Sequence, residues 1–204
     1  MGGILLSENC LIVVDVQNDF CSGGTLAVPD GEKIVDPANK LISAFDHVVL
    51  TQDWHPADHS SFASQHAAHS PFDTVSFDYG PQTLWPDHCV QGTPGADFHA
   101  DLEWTKAELV IRKGFRSAID SYSAFFENDQ ITPTGLAGYL REREIKNLTL
   151  VGLATDFCVG FSALDAAKLG FQTTIILEAC RAIDLAGSNE LMLNRLREAG
   201  VTIT

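Results

Sequence analysis

A cysteine stands where one apolar run hands over to another. Leu148–Leu153 reads as a buried strand, Ala154-Thr155-Asp156 breaks it, and a helix-like run opens at Cys158 and stops at Gly170. A thiol at such a handover sits among unpartnered backbone N–H groups and at the positive end of a helix dipole. That setting favours the thiolate, which is the nucleophilic form. A free thiol is more often inert packing, so Cys158 alone leaves both readings open. A cysteine nucleophile also needs a proton acceptor and something to stabilise the charges that form. Asp15, at the end of the first apolar run, can act as base and then as the acid that protonates a leaving amine. Lys113, at the end of another run, can hold both groups and lower the thiol pKa. Backbone N–H groups of Ala154 and Cys158 can form an oxyanion hole. The plainer readings are a turn residue for Asp15 and a solvated strand-end charge for Lys113.

Asp53-Trp54-His55 is a second constellation. Residues i and i+2 of an extended segment point the same way, so Asp53 and His55 can share one ion. His88, in Trp85-Pro86-Asp87-His88-Cys89, supplies a third ligand, and His59 is a candidate fourth. A carboxylate with two imidazoles suits Zn(II) above all, with Fe(II) or Mn(II) as alternatives. His47, His66, His69 and His99 read as ordinary surface or satisfied histidines, and Cys89 as packing. Phe20, Trp85 and Tyr122 are the aromatics expected to line a small flat pocket; core packing is their plainer role.

These groups are far apart in the chain, so the fold has to gather them. Six apolar runs, Cys10–Val16, His47–Thr51, Leu109–Arg112, Leu148–Leu153, Thr173–Leu177 and Val201–Thr204, lack clean polar alternation. Strands buried on both faces have this pattern. Helix-like segments lie between several of them: Ile34–Phe45, Thr134–Glu144, Cys158–Leu169 and Ser188–Ala199, the last with Ser188 as N-cap. Strand–helix alternation predicts an α/β fold, a doubly wound, mainly parallel six-stranded sheet with helices on both faces. Each strand ends in polar groups, and ligands of such sheets bind at the strands' carboxyl ends. Asp15, Asp53, His55, Lys113 and Cys158 are therefore expected in one cleft. The stretch from about Ser60 to Trp104 has little periodicity and reads as one long functional loop.

Length and composition bound the rest. The 204 residues fit a single domain, 1–204, with no interdomain linker. A net charge of −14 argues against nucleic acid and anionic membranes as partners. No apolar run approaches the roughly 20 residues of a spanning helix, and the N-terminal residues lack a signal-peptide pattern. Five cysteines with no Cys-x-x-Cys pair point to a reducing cytoplasm. Homo-oligomerisation is left open.

Six motifs occur in order: Val14-Asp15-Val16-Gln17-Asn18-Asp19-Phe20, Thr51-Gln52-Asp53-Trp54-His55-Pro56, Trp85-Pro86-Asp87-His88-Cys89-Val90, Arg112-Lys113-Gly114, Asp120-Ser121-Tyr122-Ser123-Ala124-Phe125 and Gly152-Leu153-Ala154-Thr155-Asp156-Phe157-Cys158-Val159. Together they resemble the nicotinamidase branch of the isochorismatase-like hydrolases, over about Leu11 to Asp184. The resemblance implies an Asp15–Lys113–Cys158 triad, a divalent metal on Asp53, His55 and His88, and a cis peptide at Leu153–Ala154. It implies a pocket of Phe20, Trp85 and Tyr122, and hydrolysis of nicotinamide to nicotinate and ammonia through a thioester, with pyrazinamide as a further substrate. The rival readings are a metal hydrolase with Cys158 as bystander, an N-carbamoyl-amine hydrolase, and an inactive metal-binding scaffold.

Overall fold

Apolar runs without polar alternation belong inside a sheet covered above and below. In the computed structural model, which describes residues 7–204, β2 (His47–Asp53) is buried throughout and β1 (Asn9–Val14) at all but its first residue. With β5 (Leu109–Lys113), β6 (Asn147–Leu153), β7 (Gln172–Arg181) and β8 (Thr202–Ile203) they form one parallel sheet, ordered β5-β2-β1-β6-β7-β8. β5 is an edge strand, and its half-buried and exposed residues alternate until Lys113. One continuous apolar core underlies the sheet and its helices.

The helices follow the spacing of their apolar residues. In α1 (Val35–Ala44) Val35, Ala38 and Ile42 face inward, with Pro37 tolerated in the first turn. This helix packs on β1 and β7, while α3 (Gly160–Lys168) lies on β7 and α4 (Ser188–Glu198) on α3 and β8. The remaining helix, α2 (Leu136–Glu142), buries Leu136 and Leu140. Among the described residues no helix is long and apolar enough to cross a membrane.

The strand order places the site. From β1 the chain winds outward through β2 to β5, then returns to the other side of β1 and runs outward again through β6, β7 and β8. Connections leave β1 and β6 in opposite directions, and a crevice opens between their carboxyl ends. Gly152 lets the two strands close on each other there: its φ is 121°, and a Cβ on it would overlap the Val14 backbone.

Some local expectations differ from the fold. β1 ends at Val14, and Asp15 turns out of the strand with φ 48°. Ser188 is the first helical residue of α4 and does not cap it; Gly187 holds the cap position, and the Ser188 hydroxyl is bound elsewhere. The stretch from Ser60 to Trp104 contains a hairpin, β3 (Thr74–Phe77) with β4 (Gly80–Thr83), that its composition concealed. Residues 1–6, expected from the sequence to carry no leader, lie outside the described residues.

Candidate active site

Asp15 leaves β1 in a left-handed conformation that a residue with a side chain rarely adopts. The turn is tied by its own carbonyl, which accepts from Gln17 N at 2.8 Å. Thr51, on β2, donates its hydroxyl to Asp15 Oδ1 at 2.6 Å. Asp15 Oδ2 lies 2.7 Å from Lys113 Nζ but off the line of a hydrogen bond, so this fully buried oxygen has no aligned donor. Burial pushes the Asp15 carboxyl up to about 6; Lys113 draws it down only in part.

Lys113 is not the solvated strand-end charge of the plainer reading. Its side chain is fully enclosed, and Nζ meets Asp15 Oδ2, Asp53 Oδ1, the Ser121 carbonyl at 3.2 Å and Cys158 Sγ at 3.2 Å. Burial opposes its charge, but Asp15 and Asp53 outweigh that and hold it an ammonium. Burial likewise opposes the Asp53 carboxylate, yet Lys113 and the two neighbouring imidazoles keep it well below the usual carboxylate range.

Cys158 sits in a π-type turn, Thr155–Val159, that comes after the cis Leu153–Ala154 peptide and precedes α3. Such one-turn insertions recur at functional sites. Its thiol behaves differently from the sequence expectation. Burial pushes it well above the ordinary thiol range; Lys113 opposes this, while Asp15 and Asp53 add to it. Cys158 therefore rests as a thiol, since the turn's dipole cannot match the desolvation of a buried sulfur near two carboxylates. An acceptor for its proton lies close by, because carboxylate oxygens of Asp15 and Asp53 and the sulfur fall within 4.8 Å of one another.

Beside this triad Asp53 Oδ2 stands 3.7 Å from His55 Nε2 and 3.8 Å from His88 Nε2. Both imidazoles turn their other nitrogen to a carbonyl: His55 Nδ1 to Gly114 O and His88 Nδ1 to Pro86 O, each at 2.8 Å. A donated Nδ1–H leaves the Nε2 lone pair free, as in metal-ligating histidines. Two such nitrogens and a carboxylate oxygen at this spacing fit one divalent ion. Cys89, next to His88, is completely buried with its sulfur 4.0 Å from the Gly95 carbonyl. His59 lies tilted against His55 with ring centroids 4.3 Å apart, but its nitrogens already have partners, Ser61 Oγ at 2.7 Å and Ile119 O at 3.2 Å. Burial and the facing His55 push it down to about 4. It groups with His55 and Asp120 rather than with Asp53 and His88.

Aromatic rings enclose the space above the sulfur. Trp85 meets Phe157 edge to face at 4.8 Å and donates its indole N–H to Tyr122 Oη at 3.2 Å. Phe20 leans on His88 at 5.5 Å. The cavity left between these walls, Asp53 and Cys158 is about 20 Å³, room for about one water. A far larger hollow of about 660 Å³ lies over Trp104 and Val110, but it is open and offers neither nucleophile nor ligand set.

The isochorismatase domain model matches residues 9–204. The chain belongs to the isochorismatase family. Within the isochorismatase-like hydrolases it falls on the nicotinamidase branch. A nicotinamidase of Acinetobacter baylyi is 53% identical over 196 residues, covering 96% of this chain and 92% of that protein. Among solved structures, an Acinetobacter baumanii nicotinamidase/pyrazinamidase has a TM-score of 0.96 at 52% identity, covering 98% of this chain and 97% of that one. A Pyrococcus horikoshii pyrazinamidase solved in complex with zinc has a TM-score of 0.79 at 37% identity, covering 97% and 99%.

Several residues around this isochorismatase-family site had no role in the sequence reading. Asp19 fixes the backbone just after His88 by accepting from Cys89 N at 2.7 Å. Asp120 receives Gln82 Nε2 at 2.8 Å, and the same amide reaches Tyr122 Oη, so the unanticipated hairpin braces a pocket wall. Leu26, Phe157 and Ile183 complete the cavity. Phe157 was open to inference, being adjacent to Cys158; Leu26 comes from a turn and Ile183 from an irregular stretch after β7, neither with a periodic signal.

Proposed function

We propose that this protein hydrolyses nicotinamide to nicotinate and ammonia by cysteine-based covalent catalysis, and that a divalent metal, zinc first among the choices, completes its site. The observation that carries this reading is the enclosed contact of Asp15, Lys113 and Cys158 beside the three-ligand set of Asp53, His55 and His88.

In this reading the substrate's ring lies between Phe20, Trp85 and Tyr122, with its carboxamide over Cys158. Asp15 takes the thiol proton on Oδ2, the oxygen without an aligned donor, as sulfur attacks the carbonyl carbon. A resting thiol makes this transfer part of the attack, so an adjacent base is indispensable. Backbone N–H groups of Ala154 and Cys158 receive the oxyanion, the kind of stabilisation that weighs most in acyl transfer. The tetrahedral adduct collapses, Asp15 returns its proton to the departing nitrogen, and ammonia leaves behind a thioester on Cys158. Asp15 then draws a proton from water, whose oxygen attacks the thioester. Collapse frees nicotinic acid, which ionises to nicotinate in solution, and Asp15 returns its proton to the sulfur. Lys113 remains an ammonium throughout and offsets the charge on Asp15 and Cys158.

Asp53, His55 and His88 would hold the metal, with His59 a candidate fourth ligand only if it exchanged its present partners. When bound, the ion supplies an electrophilic anchor for a pyridine nitrogen, and such orientation is worth several kcal/mol, roughly 7 at the limit. Zinc is favoured by the mixed carboxylate–imidazole set. The five cysteines are buried and unpaired, which fits a reducing cytoplasm.

The deciding experiment supplies purified protein with nicotinamide and monitors ammonia and nicotinate together. Equimolar release supports the reading; no release from a folded, zinc-loaded protein overturns it.

A further inference from the structure

Asp156 precedes the nucleophile by two residues in the same turn and is 2% exposed. Its carboxylate is spent on a different segment. Oδ1 accepts from Ile183 N at 3.0 Å, and Oδ2 from Asp184 N at 2.7 Å and Ser188 Oγ at 2.5 Å. The segment it grips is conformationally unfavourable, with Asp184 at φ 57° and Ala186 at φ 52°, left-handed positions for residues that carry side chains. Ile183, the first residue gripped, forms part of the cavity wall with Leu26 and Phe157. That cavity is small, so its wall residues limit the width of a ring that enters.

We propose that Asp156 is a positioning residue for substrate size: by tying the Ile183–Ser188 segment to the nucleophile turn it holds Ile183 against the cavity, and Ile183 excludes aromatic amides wider than one ring. This rests on the amide-hydrolase reading of the site. Phe157 is held through its adjacency to Cys158, and Trp85 through its bond to Tyr122. The Ile183 side chain packs against the core, and the Asp156 carboxylate fixes the backbone that carries it by accepting from Ile183 N and Asp184 N. The same carboxylate thus serves the turn that carries the sulfur and the residue that limits what reaches it.

The test compares kcat/KM for nicotinamide with that for quinoline-3-carboxamide, which keeps the ring nitrogen and carboxamide and adds a fused ring. Ile183→Ala is expected to raise the quinoline-to-nicotinamide ratio at least tenfold. Asp156→Asn, isosteric but presenting an N–H₂ to one of its donors, is expected to raise it in the same direction, with nicotinamide KM rising more than kcat falls. Ser188→Ala removes one of three donors and is expected to give a smaller rise; it decides the matter if Asp156→Asn does not fold by circular dichroism. An unchanged ratio in Ile183→Ala overturns the assignment of Ile183. A rise there with none in folded Asp156→Asn or in Ser188→Ala overturns the role of Asp156. Wild-type protein that releases no ammonia from nicotinamide overturns the amidase reading instead.

Discussion

Asp53 and Lys113 face each other twice, as register partners on the adjoining strands β2 and β5 and as an ion pair where those strands end. Asp53 gives Oδ1 to the ammonium and turns Oδ2 toward His55 and His88. One carboxylate therefore joins the triad to the ligand set, and a change at either end is felt at the other.

Lys113→Met tests this link directly. It leaves Asp15 and Asp53 buried without their shared cation, and breaking a buried ion pair from one side costs about 3–5 kcal/mol. Turnover is expected to fall by more than 100-fold and the urea midpoint to drop. Lys113→Arg is not expected to rescue, because a planar fork does not replace a point charge in a closed site. Ammonia release and urea melts check both.

Cys158→Ala removes the sulfur proposed to attack and leaves Asp53, His55 and His88 in place. It is expected to abolish ammonia release while zinc content and nicotinamide binding stay close to wild type. Calorimetry with nicotinamide and metal analysis of the same preparation separate this outcome from unfolding. Normal turnover would assign the attack to another group.

Activity should fall on the acid side. In the proposed mechanism Asp15 is the base; burial lifts it to about 6, and protonation below that value removes the acceptor for the thiol proton. kcat/KM is expected to decline as pH falls through about 6. Thr51→Val deletes the hydroxyl that donates to Asp15 Oδ1. That bond favours the charged form, so its loss raises the pKa further and moves the limb toward neutral pH. A limb that stays in place in Thr51→Val would mean a different group controls it.

Gly114 is the residue after Lys113, has φ 64°, and would drive a Cβ into the His55 ring. Its carbonyl is also the partner of His55 Nδ1. Gly114→Ala is therefore expected to tilt the imidazole and cost about 10- to 100-fold in metal affinity, as loss of outer-shell support does. Zinc retained against a graded chelator series provides the measure.

The sheet and the meeting of Asp15, Lys113 and Cys158 were legible because a parallel sheet carries the residues after each strand to one common end. The thiol's protonation state was not. Position at a turn can be read from sequence, but the desolvation that overrides it depends on how completely Phe157, Trp85 and Lys113 close over the sulfur. Burial of Lys113 was hidden for a related reason: a lysine at a strand end looks solvated until a carboxylate from β2 and another from the turn after β1 surround it. Ser188 reads as a helix cap from its neighbours, whereas its hydroxyl is taken by Asp156, more than 30 residues away. The hairpin escaped because each strand has only four residues: Thr74–Phe77 alternates too briefly to stand out, and Pro81 interrupts the second strand.

The Lys113 ammonium comes from an edge strand of the sheet, which is paired along one side only. Rim strands peel before central ones. On warming, this protein should then fall silent before it melts: the first element to let go carries away the positive charge, while Cys158 and Asp15, rooted in the middle, are still in place.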